Sequence, residues 1–148
     1  MKTKILFTAL ISIASLAAHA DCVNLSGAYN CQGQKMVITQ SNIAGGVQYN
    51  VENFYGSGPN DFSTSLYIAD GKPEDGQVLS KDQATATTTC DQNQMKSSVT
   101  YLYWNINPAH NSDTFVKQAN GDIEFIQWRY LATMVLPQHM TTVCNKMN

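Results

Sequence analysis

Charged side chains are scarce in this chain. Asp, Glu, Lys and Arg make up 14% of its residues, and the formal net charge is −2. Beyond the N-terminus the basic residues are Lys35, Lys72, Lys81, Lys96, Lys117, Arg129 and Lys146, scattered along the sequence. No basic stripe exists to follow a phosphate backbone, so nucleic acid is not an expected partner. No apolar run reaches the roughly 20 residues that a membrane-spanning helix needs. Cys-x-x-Cys pairs are missing, which removes the commonest zinc pattern. So is the Gly-x-Ser-x-Gly turn of a serine nucleophile. The acidic stretch Asp70–Gly76 carries Asp70, Glu74 and Asp75 but lacks the Asp-x-Asp-x-Asp-Gly order of a calcium loop, and reads as an acidic turn. The histidines outside the N-terminal segment are His110 and His139, and Asp113 follows His110 by three residues without any further triad signal. No catalytic, metal or cofactor site is expected.

The N-terminus has the pattern of a cleaved export signal. Lys2 and Lys4 precede an apolar stretch from Ile5 to Ala18, and Ala18-His19-Ala20 places small residues where signal peptidase reads them. Residues 1–20 are therefore expected to be removed, leaving residues 21–148 as one domain with seven basic and eleven acidic side chains. Asp21 stands directly before Cys22, where a lipoprotein requires a small residue, so Cys22 is expected to remain a thiol available for a disulfide. The four cysteines, Cys22, Cys31, Cys90 and Cys144, predict two disulfides in a secreted or periplasmic chain, with three possible connectivities. Asn24-Leu25-Ser26 matches a glycosylation sequon, which matters only in a eukaryotic host.

What the mature chain does have is alternation. Val47, Tyr49 and Val51 alternate with Gln48, Asn50 and Glu52, which predicts a strand with one dry and one wet face. Met36–Gln40 precedes it across Ala44-Gly45-Gly46. A second hairpin is predicted from Asp113–Gln118 and Ile123–Tyr130 around Asn120-Gly121, a pair favoured in type I′ turns. Further strands are expected at Gly27–Cys31, Ser63–Ile68, Ala84–Cys90, Met95–Asn105 and His139–Cys144, with loops at Tyr55–Asp61 and Asp70–Gly76. Thr85-Ala86-Thr87-Thr88-Thr89 favours a strand, because β-branched residues lose χ1 freedom in a helix. The sum is an all-β, single antiparallel up-and-down barrel of about eight strands, since closure removes exposed edges.

Aromatic residues give the candidate sites. Tyr101 and Tyr103 share one strand face; Ile126, Trp128 and Tyr130 share a face of a later strand. If these faces point inward, Tyr101, Tyr103, Trp128 and Tyr130 would form an apolar pocket with hydrogen-bonding tips, suited to a small apolar ligand. Core filling is the structural alternative. Tyr55, Ser57 and Gly58, in the glycine-rich loop, are the candidates for contact with a protein partner.

Two resemblances bear on this. Leu25-Ser26-Gly27-Ala28-Tyr29 resembles the Gly-x-Trp opening of lipocalins and the similar opening of avidins, with Tyr29 in the aromatic position. Arg129 beside Trp128 is similar to the late lipocalin arginine that packs on that aromatic. The resemblance implies a calycin-like, lipocalin-like barrel with one end open to a ligand. Tyr29-Asn30-Cys31 followed by Met36–Gln40 looks like the start of the periplasmic inhibitors of C-type lysozyme, and Gly56-Ser57-Gly58 resembles their inhibitory loop. Pro59-Asn60-Asp61 departs from that loop's continuation. The expected function is a non-enzymatic exported binding protein; a lysozyme-inhibitor-like protein-binding module and an envelope structural protein are the alternatives.

Overall fold

Period-two sequences bounded by Gly, Asn and Asp have only one way to bury their dry faces, which is to pair edge to edge and curl. The computed structural model describes residues 22–56, 58, 61–76, 84–103, 107–131 and 136–148, with backbone alone at 75–76, 102–103 and 107. The expected export signal lies outside the described residues. Ten strands follow one another: β1 (Gly27–Cys31), β2 (Gln34–Ile43), β3 (Gly46–Phe54), β4 (Phe62–Ala69), β5 (Pro73–Gly76), β6 (Ala84–Cys90), β7 (Gln94–Tyr103), β8 (Asn107–Lys117), β9 (Ile123–Leu131) and β10 (Gln138–Lys146). Among the described residues there is no helix.

The strands form one sheet in the order β4-β3-β2-β1-β10-β9-β8-β7-β6-β5. A parallel bridge between Ala69 of β4 and Thr88 of β6 closes it into a barrel, while every other pairing is antiparallel. At the closure, Thr88 is buried and its hydroxyl donates to Ser97 at 3.0 Å. The expected all-β barrel is what forms, with β5 as an additional strand outside the ring. That strand corrects the loop expected over Asp70–Gly76, because Pro73–Gly76 pairs with Ala84–Thr87 on the edge of β6. The strand expected from Asp113 also begins earlier, at Asn107, because β7 and β9 flank it on both sides.

The Asn120-Gly121 turn differs from the type I′ expectation. Gly121 has φ +90°, but Asn120 is not left-handed. Its side chain instead accepts the Asp122 N–H at 3.1 Å and donates to the Asp122 carboxylate at 2.7 Å. A longer turn ending in a left-handed glycine serves the same hairpin.

One end of the barrel is filled and stoppered by the segment before β1. Tyr29, Tyr49, Phe115, Leu25, Met36, Ile38, Met95 and Ile123 are fully buried there, each contributing about 1.5–3 kcal/mol through burial. Residues 22–26 cross this end. The Tyr29 hydroxyl donates to the Leu25 carbonyl at 2.8 Å and the Tyr49 hydroxyl to the Val23 carbonyl at 2.9 Å. Gln40 accepts the Leu25 N–H, Lys117 donates to the Asn24 carbonyl, and the Val23 N–H donates to the Asp91 carbonyl. Two disulfides select one of the three connectivities. Cys22–Cys90 ties this segment to the β6–β7 turn, and Cys31–Cys144 joins β1 to β10. Such bonds belong to an oxidising compartment. No described helix is long and apolar enough to cross a membrane.

Burial pushes the Tyr49 phenol up to about 12. An unfolded tyrosine ionises near pH 10 while the folded one keeps its proton, so stability present below pH 10 is lost as pH rises toward 12. In urea titrations between pH 7 and 11.5, Tyr49→Phe should cost about 1 kcal/mol at neutral pH, where it orphans the Val23 carbonyl. It should also make the alkaline loss shallower than in the parent.

Candidate functional site

Away from the stoppered end the interior turns polar. Phe115, Asp113, Asn111 and Ala109 of β8 alternate onto the inner face, opposite Phe125, Gln127, Arg129 and Leu131 of β9. The chain's single arginine is thereby aimed into the barrel. Its Nη1 lies 2.8 Å from Asp113 Oδ1. Gln127 donates to the same oxygen at 3.3 Å, and the Tyr67 hydroxyl donates to Oδ2 at 3.0 Å. Tyr67 belongs to β4, so this last bond spans the interior. Burial, followed by the charge of Asp113 and the hydrogen bond to it, holds the Tyr67 phenol well above its ordinary range.

The balance of donors and acceptors here is uneven. Both oxygens of Asp113 are occupied, by three donors in all. Arg129 offers N–H groups on three nitrogens. Its contacts with Asp113 and with the carbonyls of Ser112 and Trp128 all use Nη1. Among the described residues, Nε and Nη2 have no protein partner. About a third of the Arg129 side chain is exposed.

That exposure opens into a pocket of about 340 Å³ lined by Gln127, Arg129, Gln138, His139 and Met140. Three of these are consecutive residues of β10, so the pocket runs along that strand's edge. Its chemistry is a cationic fork, two amides, an imidazole and a thioether. No group of three or more His, Cys, Asp or Glu side chains converges among the described residues.

The barrel wall divides the four aromatic residues expected to share a pocket. Tyr101 faces inward, paired between Ala84 and Ala109. The Tyr103 backbone pairs with Asn107, and its side chain lies outside the described residues. Trp128 and Tyr130 alternate with Arg129 and face outward. The Trp128 ring packs edge-on against His110 at 5.3 Å and lies 6.0 Å from Tyr130, near-parallel to it. His110 Nδ1 is 3.2 Å from the Thr100 hydroxyl. Because side chains alternate strictly along a strand, Trp128 and Arg129 cannot share a face, and the inward place belongs to the arginine.

At the loop between β3 and β4, Tyr55 is 61% exposed. Asp61 braces the loop: its carboxylate accepts the Gly58 N–H at 2.7 Å and its carbonyl accepts the Tyr55 N–H at 3.0 Å. A Cβ on Gly58 would come within 2.8 Å of that carboxylate, so a larger residue there would push the Asp61 side chain aside. Ser57 lies outside the described residues. All four cysteines are disulfide-bonded. Sequence reasoning missed Tyr67, Asp113, Gln127, Gln138 and Met140 as site residues. The available signal was the lone arginine in phase with Phe125 and Gln127.

No protein-family model matches the chain, and a search of curated proteins finds no match. The closed barrel is compatible with a calycin-like fold on its architecture alone.

Arg129→Gln should lower stability by about 2 kcal/mol in urea unfolding, between the limits for exposed and buried ion pairs. The double variant Arg129→Gln with Asp113→Asn should recover part of that loss, because it leaves no uncompensated carboxylate inside the barrel.

Proposed function

We propose that this chain is an exported, non-enzymatic binding barrel, acting in the periplasm or after secretion. Its ligand sits at the end opposite the N-terminal stopper. The supporting observation is the unspent donor capacity of Arg129 in a half-buried pocket: Asp113 takes one face of the guanidinium and leaves Nε and Nη2 for an incoming acceptor. A carboxylate matches that fork in two parallel hydrogen bonds. Met140, which lines the pocket, and Leu131, two residues past Arg129 on the same face of β9, supply apolar surface for the rest of the molecule. The ligand class is thus a small molecule with an acidic head and a short apolar body, more polar than the aromatic residues by themselves would imply. Among the described residues that line this pocket no hydroxyl or thiol stands beside a base, which favours holding over turnover.

Octanoate and its neutral counterpart 1-octanol separate the head group from the chain. In calorimetric titrations octanoate should bind about tenfold or more tightly than 1-octanol, the difference expected for a charge-assisted hydrogen bond. In the Arg129→Gln, Asp113→Asn double variant that preference should vanish while the circular dichroism spectrum is kept. Equal affinity for the two probes, or binding of neither, would contradict the proposal.

A further inference from the structure

Among the described residues two strands keep a long edge without a neighbour: β4, which meets β6 only at Ala69, and β10, whose edge lies beside Arg129. β10 pairs with β9 from Gln138 to Cys144, but with β1 only at Cys144, Asn145 and Lys146. β1 ends at Cys31 and turns back through Gln32 and Gly33, so Gln138–Val143 has no strand on its second edge among the described residues. Exposure tells the same story independently. Gln138 and Met140 have the inward phase of β10, yet both are exposed, Met140 to 58%. A continuous wall would cover these side chains. Natural edges are usually blunted by lysine, proline, other charges or a bulge. Gln-His-Met-Thr-Thr-Val carries no lysine, proline or acidic residue.

We infer that β10 takes up an extended segment of a partner protein as an added strand, with an acidic side chain of that segment seated on Arg129. The exposed edge of a strand offers alternating N–H and C=O groups, which only another extended main chain can match in series. The pocket lies along this same edge, and Gln138 pairs directly with Arg129 in the β9–β10 register. A side chain pointing inward from the added strand therefore meets the free side of the guanidinium. Charge complementarity also decides between occupants. A second copy of this chain would present the same Gln138–Val143 edge, which holds no carboxylate to complete the pairing with Arg129. The inference rests on the role proposed above for Arg129 as a carboxylate receptor, and adds an extended acidic peptide to the small acids that the site would hold.

A random octapeptide library displayed on phage, panned against the disulfide-intact protein, supplies the probe. Selected peptides should carry Asp or Glu at a fixed position among alternating β-branched residues. The best of them, made synthetically, should lose tenfold or more in affinity when alternate backbone nitrogens on the paired edge are methylated. It should lose as much against Met140→Lys, which sets a charge on an already exposed edge position. Thermal melting of Met140→Lys checks that the barrel persists, and Thr39→Ala, at an exposed position of β2, serves as a surface control with unchanged affinity. Peptides that bind equally well with or without backbone methylation, or to Met140→Lys as to the parent, would overturn strand addition. Failure to select any peptide while octanoate still binds would overturn strand addition alone. Concentration-dependent dimerisation abolished by Met140→Lys would replace the foreign peptide with a second copy and overturn the inference.

Discussion

The seam between β1 and β10 is held by three residue pairs, and one of them is the disulfide Cys31–Cys144. The ring depends on this joint. β1 has only five residues before the chain turns back at Gln32, with φ +54°, and Gly33, with φ +92°. So short a ladder gives few hydrogen bonds with which to hold a curved sheet shut. A covalent bond between positions 113 residues apart removes a large share of the unfolded chain's freedom, on the order of 2–4 kcal/mol. It also fixes the register at the place where slippage would move every side chain of β10 to the wrong face. Cys22–Cys90 plays the matching part at the stoppered end, where it holds the segment that Tyr29 and Tyr49 bind.

Stability and the candidate site are therefore set apart within one barrel. The stoppered half is apolar and fully packed around Tyr29, Tyr49 and Phe115. The other half holds an ion pair, an amide and a phenol in place of hydrocarbon. An ion pair withdrawn from water seldom stabilises a fold better than packed apolar groups would. Its retention inside the wall fits a role in recognition, supported by the rigidity of the other half. The short seam also leaves one edge of β10, beside that ion pair, without a neighbouring strand among the described residues.

Much of the fold was legible because period-two alternation leaves few alternatives. Val47, Tyr49 and Val51 point inward as their spacing requires, and each expected ring strand is present. The orientation of β9 was not legible. Ile123, Phe125 and Leu131 lie on one face, Ile126, Trp128 and Tyr130 on the other, so hydrophobicity did not separate inside from outside. Register decides it: Arg129 follows Phe125 and Gln127 onto the inner face, and Trp128 goes outward beside His110. β5 escaped notice because Pro73-Glu74-Asp75-Gly76 has the composition of a turn, and an outer strand bears few of the packing demands that shape a core strand. The disulfide pairing follows from the sheet order, which spacing along the chain does not reveal.

If the lone arginine faces a ligand site inside the barrel, its own side chain reports the ligand directly. With one arginine in the chain, the Nε–H signal in a ¹⁵N-correlated NMR spectrum needs no assignment. The signal should shift and exchange more slowly with water on addition of octanoate, and do neither on addition of 1-octanol. A signal indifferent to both would mean that Arg129 takes no carboxylate, and would contradict a ligand site there.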